Sequence, residues 1–194
     1  MSTVAVPSLE QTLKNLLNAF NLESNTSARY TSFALKADEE GLLKIGSLFR
    51  AVARAEHIHA ANQAGIIHRM SGTPKFHVAP LEVQSTAENL KAAIAGETHE
   101  VDVMYPAYLE EAAVQGLHKA RRTFRTIIEA ERDHARLFAN ALEHLQRNEG
   151  KDAAMLSHPG VYYVCPECGF TATKTLLDLC PVCNHSREEF EMVV

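Results

Sequence analysis

The chain has 194 residues, 46% hydrophobic and 22% charged, with a net charge of −5, enough for one good core and a small satellite. That charge, with no basic cluster interleaved with aromatics, argues against a nucleic-acid surface. No apolar run reaches membrane-spanning length, and Met1 to Pro7 lacks the basic and apolar regions of a secretory signal, so a cytoplasmic protein is expected.

Leu9, Leu13, Leu16, Leu17 and Phe20 recur at helical spacing, and Ala28, Phe33, Ala34 and Ala37 continue the stripe. Ser8, with Gln11 three residues on, reads as a helix start and Gly41 as a stop. A second helix is expected from Leu42 to Met70, carrying Ile45, Leu48, Phe49 and Val52. Ser71-Gly72-Thr73-Pro74 and Pro80 then mark an extended crossover of roughly fifteen residues. Ser85-Thr86-Ala87-Glu88 is a capping box. The third helix it opens runs to about Val114, and Pro106 predicts a kink or break near Tyr105. After Gln115-Gly116 a fourth helix carries Ala120, Phe124, Ile127, Ile128, Phe138 and Leu145, ending near Glu149-Gly150. Two helical hairpins joined by a long crossover give the ferritin-like four-helix bundle, because parallel neighbours cannot be joined by a short loop. The bundle is therefore assigned to 1–150, a linker to 151–158 and a second, small unit to 159–194.

That small unit holds all four cysteines, as Cys165-Pro166-Glu167-Cys168 and Cys180-Pro181-Val182-Cys183. Two such pairs in a chain without an export signal point to a metal rather than to disulfides. Four thiolates at this spacing suit structural zinc or a single iron. The unit is too small to fold on an apolar core alone, so metal should supply much of its stability. Tyr162, Tyr163, Phe170 and Phe190 are expected as an aromatic shell around it. Its acids, Glu167, Asp178, Glu188, Glu189 and Glu191, face only Lys174 and Arg187.

The chemistry in the bundle is written twice. Glu56-His57-Ile58-His59 and Glu131-Arg132-Asp133-His134 each place a carboxylate and an imidazole three residues apart on one helix face. Glu23 precedes Glu56 by 33 positions and Glu97 precedes Glu131 by 34. Glutamates from four helices with two histidines make a dinuclear metal site, with Glu56 and Glu131 as bridges and one histidine per metal. Without a cation, four converging carboxylates would repel one another in a desolvated core. His57 points about 100° away around the helix, and His68, His118 and His144 read as surface residues. Glu100 breaks the symmetry: its counterpart in the first half is Thr26, so one half offers a seventh ligand.

The stretches Ala19 to Ser24, Ala28-Arg29-Tyr30, Thr86 to Leu90, Gly96 to Glu100 and Tyr105-Pro106, followed by the cysteine knuckles, resemble the rubrerythrin family from about Leu9 to Glu191. The resemblance implies a ferritin-like di-iron bundle with a C-terminal rubredoxin-like domain that holds one iron on four cysteines. It implies that Glu23, Glu56, His59, Glu97, Glu100, Glu131 and His134 bind two irons, and that Glu100 exchanges with His59 as the oxidation state changes. Tyr30 and Tyr105 match tyrosines that hydrogen-bond ligand carboxylates. Cys165, Cys168, Cys180 and Cys183 would hold the third iron, for which zinc could substitute. Two departures stand out: Asn21-Leu22 replaces a small residue and glycine, altering packing near the ligands, and Asn184 replaces a knuckle glycine, asparagine being the next best residue for a left-handed turn.

The function so implied is an NAD(P)H-linked peroxidase. Hydrogen peroxide is reduced to water at the di-iron site, with Glu97, Glu100, Tyr30 and Tyr105 as the surrounding catalytic groups. Electrons enter through the four-cysteine iron from rubredoxin or a nicotinamide-dependent reductase, which must be a separate protein because no Gly-rich dinucleotide fingerprint exists here. A head-to-tail homodimer is also implied. The rival readings are a ferritin-like iron-oxidising storage protein with a zinc-ribbon tail, and a zinc-ribbon adaptor on a structural bundle. Neither has a use for redox cysteines tethered to an asymmetric carboxylate site.

Overall fold

The computed structural model describes residues 9–147, 156–173 and 178–194. Ser8, most of the expected linker and the expected helix end at Glu149-Gly150 lie outside them. The apolar stripes fold as the first two helices, α1 (Leu9–Glu39) and α2 (Leu43–Arg69). Between them Gly41 takes φ +76°, and Leu42 N–H returns to the Ala37 carbonyl at 2.8 Å, so a left-handed residue closes α1 and reverses the chain. The hairpin is tight. A Cβ at Gly46 would stand 2.1 Å from Asp38 Oδ1, and Arg50 fastens the same corner with a 2.6 Å ion pair to Asp38.

The crossover lies along α1. His77 N–H donates to Asn21 Oδ1 at 2.8 Å, and Asn25 holds the His77 carbonyl and the Ala79 N–H. Asn21 therefore serves the crossover, on the helix face away from the ligands, rather than altering the packing around them. Helix α3 (Thr86–His99) opens on the expected capping box, with Ser85 and Glu88 exchanging hydrogen bonds. The break expected near Tyr105 takes another form. Residues Glu100–Met104 are π-helical, and α4 (Tyr105–Val114) follows with Pro106 in its first turn. Pro106 has no N–H to offer the Asp102 carbonyl, and a wider turn absorbs that loss without ending the helical rod. Helix α5 (His118–Arg147) completes the bundle.

Two apolar clusters fill it. Tyr30, Phe33, Phe49, Leu90 and Phe138 pack in one, and Leu16, Ile67, Tyr105, Phe124 and Ile127 in the other. The doubled motif occupies the level between them.

The tail is a three-stranded antiparallel sheet in the order β2-β1-β3, with β1 Tyr162–Val164, β2 Thr171–Ala172 and β3 Glu191–Val193. It packs along α2: Arg54 grips Glu191 with two bonds of 2.6 and 2.7 Å, Arg50 Nε reaches the Val194 carbonyl at 2.9 Å, and Gly160 N–H reaches Ser47 Oγ at 3.1 Å. One acid of the tail is thus neutralised by the bundle. Tyr162 and Val164, on one face of β1, join the bundle's core cluster. Phe170 and Phe190 stay with the cysteines. The expected aromatic shell is therefore smaller, since the alternation of β1 turns Tyr162 toward the bundle. Among the described residues no helix is long and apolar enough to cross a membrane.

Candidate metal centres

Glu23 on α1, Glu56 and His59 on α2, Glu97 on α3, Glu100 in the π segment, and Glu131 and His134 on α5 meet in the bundle interior, each at most 4% exposed. Two sets of donors, each within 4.8 Å, result: Glu23, Glu56, His59 and Glu131, and Glu56, Glu97, Glu131 and His134. Glu56 and Glu131 belong to both sets, the position of bridging carboxylates, and each set has one histidine. Their rings stack 5.9 Å apart. His57, His68, His118 and His144 are exposed.

Both imidazoles turn Nδ1 toward the carboxylates. His59 Nδ1 lies 2.8 Å from Glu131 and 3.1 Å from Glu56, and His134 Nδ1 lies 2.7 Å from Glu131. Their other nitrogens face the tail. His59 Nε2 is 3.0 Å from the Cys168 carbonyl, and His134 Nε2 is 3.3 Å from the Gly169 carbonyl and 3.2 Å from Thr171 Oγ1. Carbonyl oxygens only accept, so each Nε2 carries a proton and donates, and Nδ1 is the nitrogen that would bind a metal on releasing its own proton.

Burial and mutual repulsion set the protonation of these carboxyls. Burial, followed by the charges of Glu56 and Glu131, raises the Glu23 and Glu97 carboxyls well above the usual range. Burial also raises Glu100, with Glu23 the strongest neighbouring charge. Although burial opposes it, the charges of His59 and His134 hold Glu131 low. The same ion pairs lift both histidines against their own burial. Glu23, Glu56, Glu97, Glu100 and Glu131 each keep one buried oxygen without an aligned hydrogen-bond donor. Such acceptors converging in one buried pocket fit divalent cations of intermediate hardness.

The two halves also brace each other. Tyr30 donates to Glu97 and Tyr105 donates to Glu23, each tyrosine serving the glutamate of the opposite half. Tyr30 follows Glu23 by seven residues, whereas Tyr105 follows Glu97 by eight; from tyrosine to bridging glutamate both halves count 26. The 33-against-34 mismatch is thus a single residue, and it falls where the chain becomes π-helical. Glu100 opens that segment. It is buried beside the two donor sets and belongs to neither.

Gln63 was not singled out in the sequence. It is fully buried, and its Nε2 donates to Tyr105 Oη at 2.8 Å. Its place, one turn beyond His59 on the ligand face, is a signal that could have found it. The carbonyls of Cys168 and Gly169 carry no sequence signal at all.

The four thiols lie within 4.8 Å of one another. Cys165 and Cys183 are 3.6 Å apart, Cys168 and Cys180 3.7 Å, far longer than a disulfide and suited to one tetrahedral ion. The knuckles are equivalent turns, with Gly169 N–H on the Cys165 carbonyl and Asn184 N–H on the Cys180 carbonyl, both at 2.9 Å. Gly169 has φ +77° and Asn184 φ +64°, so asparagine does take the left-handed turn.

A sequence model of the family described as Rubrerythrin matches residues 14–142, and one described as Rubrerythrin, rubredoxin-like domain, matches 163–191. The chain is 36% identical to Rubrerythrin-2 of Clostridium acetobutylicum over 177 residues, covering 91% of this chain and 93% of that one. It is 34% identical to a rubrerythrin of Porphyromonas gingivalis over 188 residues, covering 93% and 89%. Among solved structures, nigerythrin in a mixed-valence state superposes with a TM-score of 0.83 at 29% identity, over 99% of this chain and 91% of that one. Both metal centres of that architecture, a carboxylate/histidine di-iron site and a rubredoxin-like four-cysteine iron site, have their donor sets here.

Proposed function

The chain belongs to the rubrerythrin family, and on that premise we propose that it is a cytoplasmic peroxidase that reduces hydrogen peroxide to water. Two electrons and two protons convert one peroxide into two waters. The observation that carries this reading is the pair of contacts from the Cys168 and Gly169 carbonyls to His59 and His134. A storage protein has no use for an electron relay seated on both of its metal-binding histidines.

Glu23, Glu56, His59, Glu97, Glu131 and His134 would hold two irons, and Cys165, Cys168, Cys180 and Cys183 a third. Bound there, the irons would supply two-electron reduction in the bundle and one-electron relay in the tail. The protein's own residues do the rest. Tyr30 and Tyr105 orient Glu97 and Glu23. Glu100, raised by burial and by Glu23, holds a proton at the edge of the site, where it can deliver it to a departing oxygen. By the family resemblance, Glu100 is also the carboxyl that would exchange with His59 as a ligand. Electrons come from a rubredoxin or a nicotinamide-dependent reductase. In a head-to-tail homodimer a partner's tail would meet the same two histidines.

Aerobically purified protein is the test. Two irons in the bundle and a red four-cysteine iron that bleaches on reduction and regains its colour with peroxide are expected. Zinc in the tail, or slow iron uptake into a large shell without peroxide turnover, overturns the reading.

A further inference from the structure

A cleft of about 230 Å³ opens where the tail meets the ends of α2 and α5, and Arg69, Lys119, Arg122, Glu167, Cys168 and Cys183 line it. Cys183 is the one ligand-type cysteine that is not fully buried, so this is where the four-cysteine centre comes closest to solvent. The cleft's cations are not structural. Further along α5, Arg132, Arg136 and Arg147 are each paired with an acid of the same helix. Among the described residues, Arg69, Lys119, Arg121, Arg122 and Arg125 are exposed and form no ion pair. The first turn of α5 contains no acid, and cations there oppose the helix dipole. An unpaired cluster held at a helix start, in a chain of net charge −5, needs another reason to be there.

We infer that the Arg69, Lys119 and Arg122 face beside Cys183 is the docking surface for an acidic protein that delivers single electrons to the four-cysteine centre. This rests on the electron-fed reading above. The notch is smaller than ordinary small-molecule pockets, which favours a protein surface over a bound cofactor. Opposite charge steers encounter and fixes orientation, with association rates that fall with salt. Glu167 is the single acid in the lining, so the partner's carboxylates must meet the three cations, Arg69 at the end of α2 and Lys119 and Arg122 at the start of α5. Each encounter oxidises the carrier by one electron and reduces the four-cysteine centre by one; two encounters balance one peroxide, and no bond is made or broken at this face.

The test uses iron-loaded full-length protein, a reduced acidic rubredoxin as carrier, and hexaammineruthenium(II) as a small cationic reductant. The second-order rate at which the carrier bleaches the four-cysteine centre should fall at least about tenfold from low to high salt. The triple variant Arg69→Glu, Lys119→Glu, Arg122→Glu should slow the carrier at least about tenfold at low salt, lose the salt slope and bind the carrier correspondingly more weakly in an NMR titration. The cationic reductant should be as fast or faster. A carrier rate independent of salt in the unmodified protein overturns the inference whatever the variant does, and so does a variant that keeps the rate and slope. Peroxide added to protein reduced by the ruthenium reagent separates the two readings. Colour recovery with an unmoved carrier rate removes the docking face alone; a tenfold carrier effect without recovery removes the peroxidase alone.

Discussion

The Cys168 carbonyl accepts a hydrogen bond from His59 Nε2 at 3.0 Å, so one atom of a cysteine knuckle touches the bundle's metal-binding pocket. The approach depends on the next residue. Gly169 has φ +77°, and a Cβ there would stand 2.4 Å from His59 Nε2 and 3.2 Å from the Ala55 carbonyl. Gly169→Ala should therefore lift the knuckle, beyond the roughly 1–2 kcal/mol of left-handed strain. Iron should still bind in both sites, but colour recovery of the reduced four-cysteine centre after peroxide should slow at least about tenfold, as expected when aligned groups are displaced by about 1 Å. Asn184→Gly, at the equivalent turn of the other knuckle, should leave that rate unchanged and stability within about 1 kcal/mol. Equal rates for Gly169→Ala and wild type would remove the contact from the electron route.

Glu100 is buried beside both donor sets without joining either. Glu100→Ala should keep the bundle's iron content and lower peroxide turnover by about 10²-fold, the lower range for losing a positioned proton donor. Iron analysis alongside steady-state kinetics decides it. Unchanged turnover would show that neither proton delivery nor ligand exchange needs this carboxyl.

Much of this was legible in the chain because the ligands repeat. Spacing alone paired Glu56 with His59 and Glu131 with His134, and helical period excluded His57. The 33-against-34 offset was visible too, but its meaning was not. Pro106 announces a disturbed helix, yet whether the chain kinks or widens by a residue depends on how Tyr105 and Glu100 are held inside the bundle, which is a tertiary matter. Tail docking was hidden for a related reason. It rests on backbone carbonyls and on Arg54 meeting Glu191, a contact between residues 137 apart in sequence. Asn21, read with Leu22 as altering the packing near the ligands, holds the crossover instead, a partner 56 residues away that spacing does not reveal.

The two tyrosines should not be equivalent. Tyr30→Phe deprives Glu97 of a donor. Tyr105→Phe deprives Glu23 of one and also strands the Gln63 amide, whose Oε1 already lacks a partner. A bared buried polar group costs about 1–3 kcal/mol. In metal-free protein Tyr105→Phe should thus destabilise more than Tyr30→Phe by about 1 kcal/mol or more, read from urea midpoints. Gln63→Met should recover part of the deficit in the Tyr105→Phe background. If the two single variants match, Gln63 is not part of the brace.

The tail's own buried cluster is small, comprising Cys165, Cys168, Phe170, Ala172 and Cys180. Structural metal in such domains contributes on the order of 10 kcal/mol. Stripping the ion from the four cysteines, or Cys180→Ser, should leave helical circular dichroism nearly intact while residues 161–194 become rapidly cleavable by protease. Persistent protection without metal would mean that the Arg54–Glu191 pair and the Tyr162 contact suffice to hold the tail.

Tyr162 ties the tail to the bundle, and burial pushes its phenol up to about 12, against about 10 in an unfolded chain. The unfolded state therefore loses its proton first as pH rises. The contribution to stability is complete below about pH 10 and falls away between about 10 and 12, a loss of roughly 2–3 kcal/mol. Buried Tyr30 and Tyr105 are raised as well, so the whole protein should weaken in alkali and the comparison with Tyr162→Phe isolates this residue. Lacking the phenol, that variant should lose about 2–3 kcal/mol less than wild type between pH 9 and pH 12. Parallel stability curves would place the Tyr162 hydroxyl in water, and the tail would then not be seated in the bundle core as its place in one cluster with Leu48 and Leu137 requires.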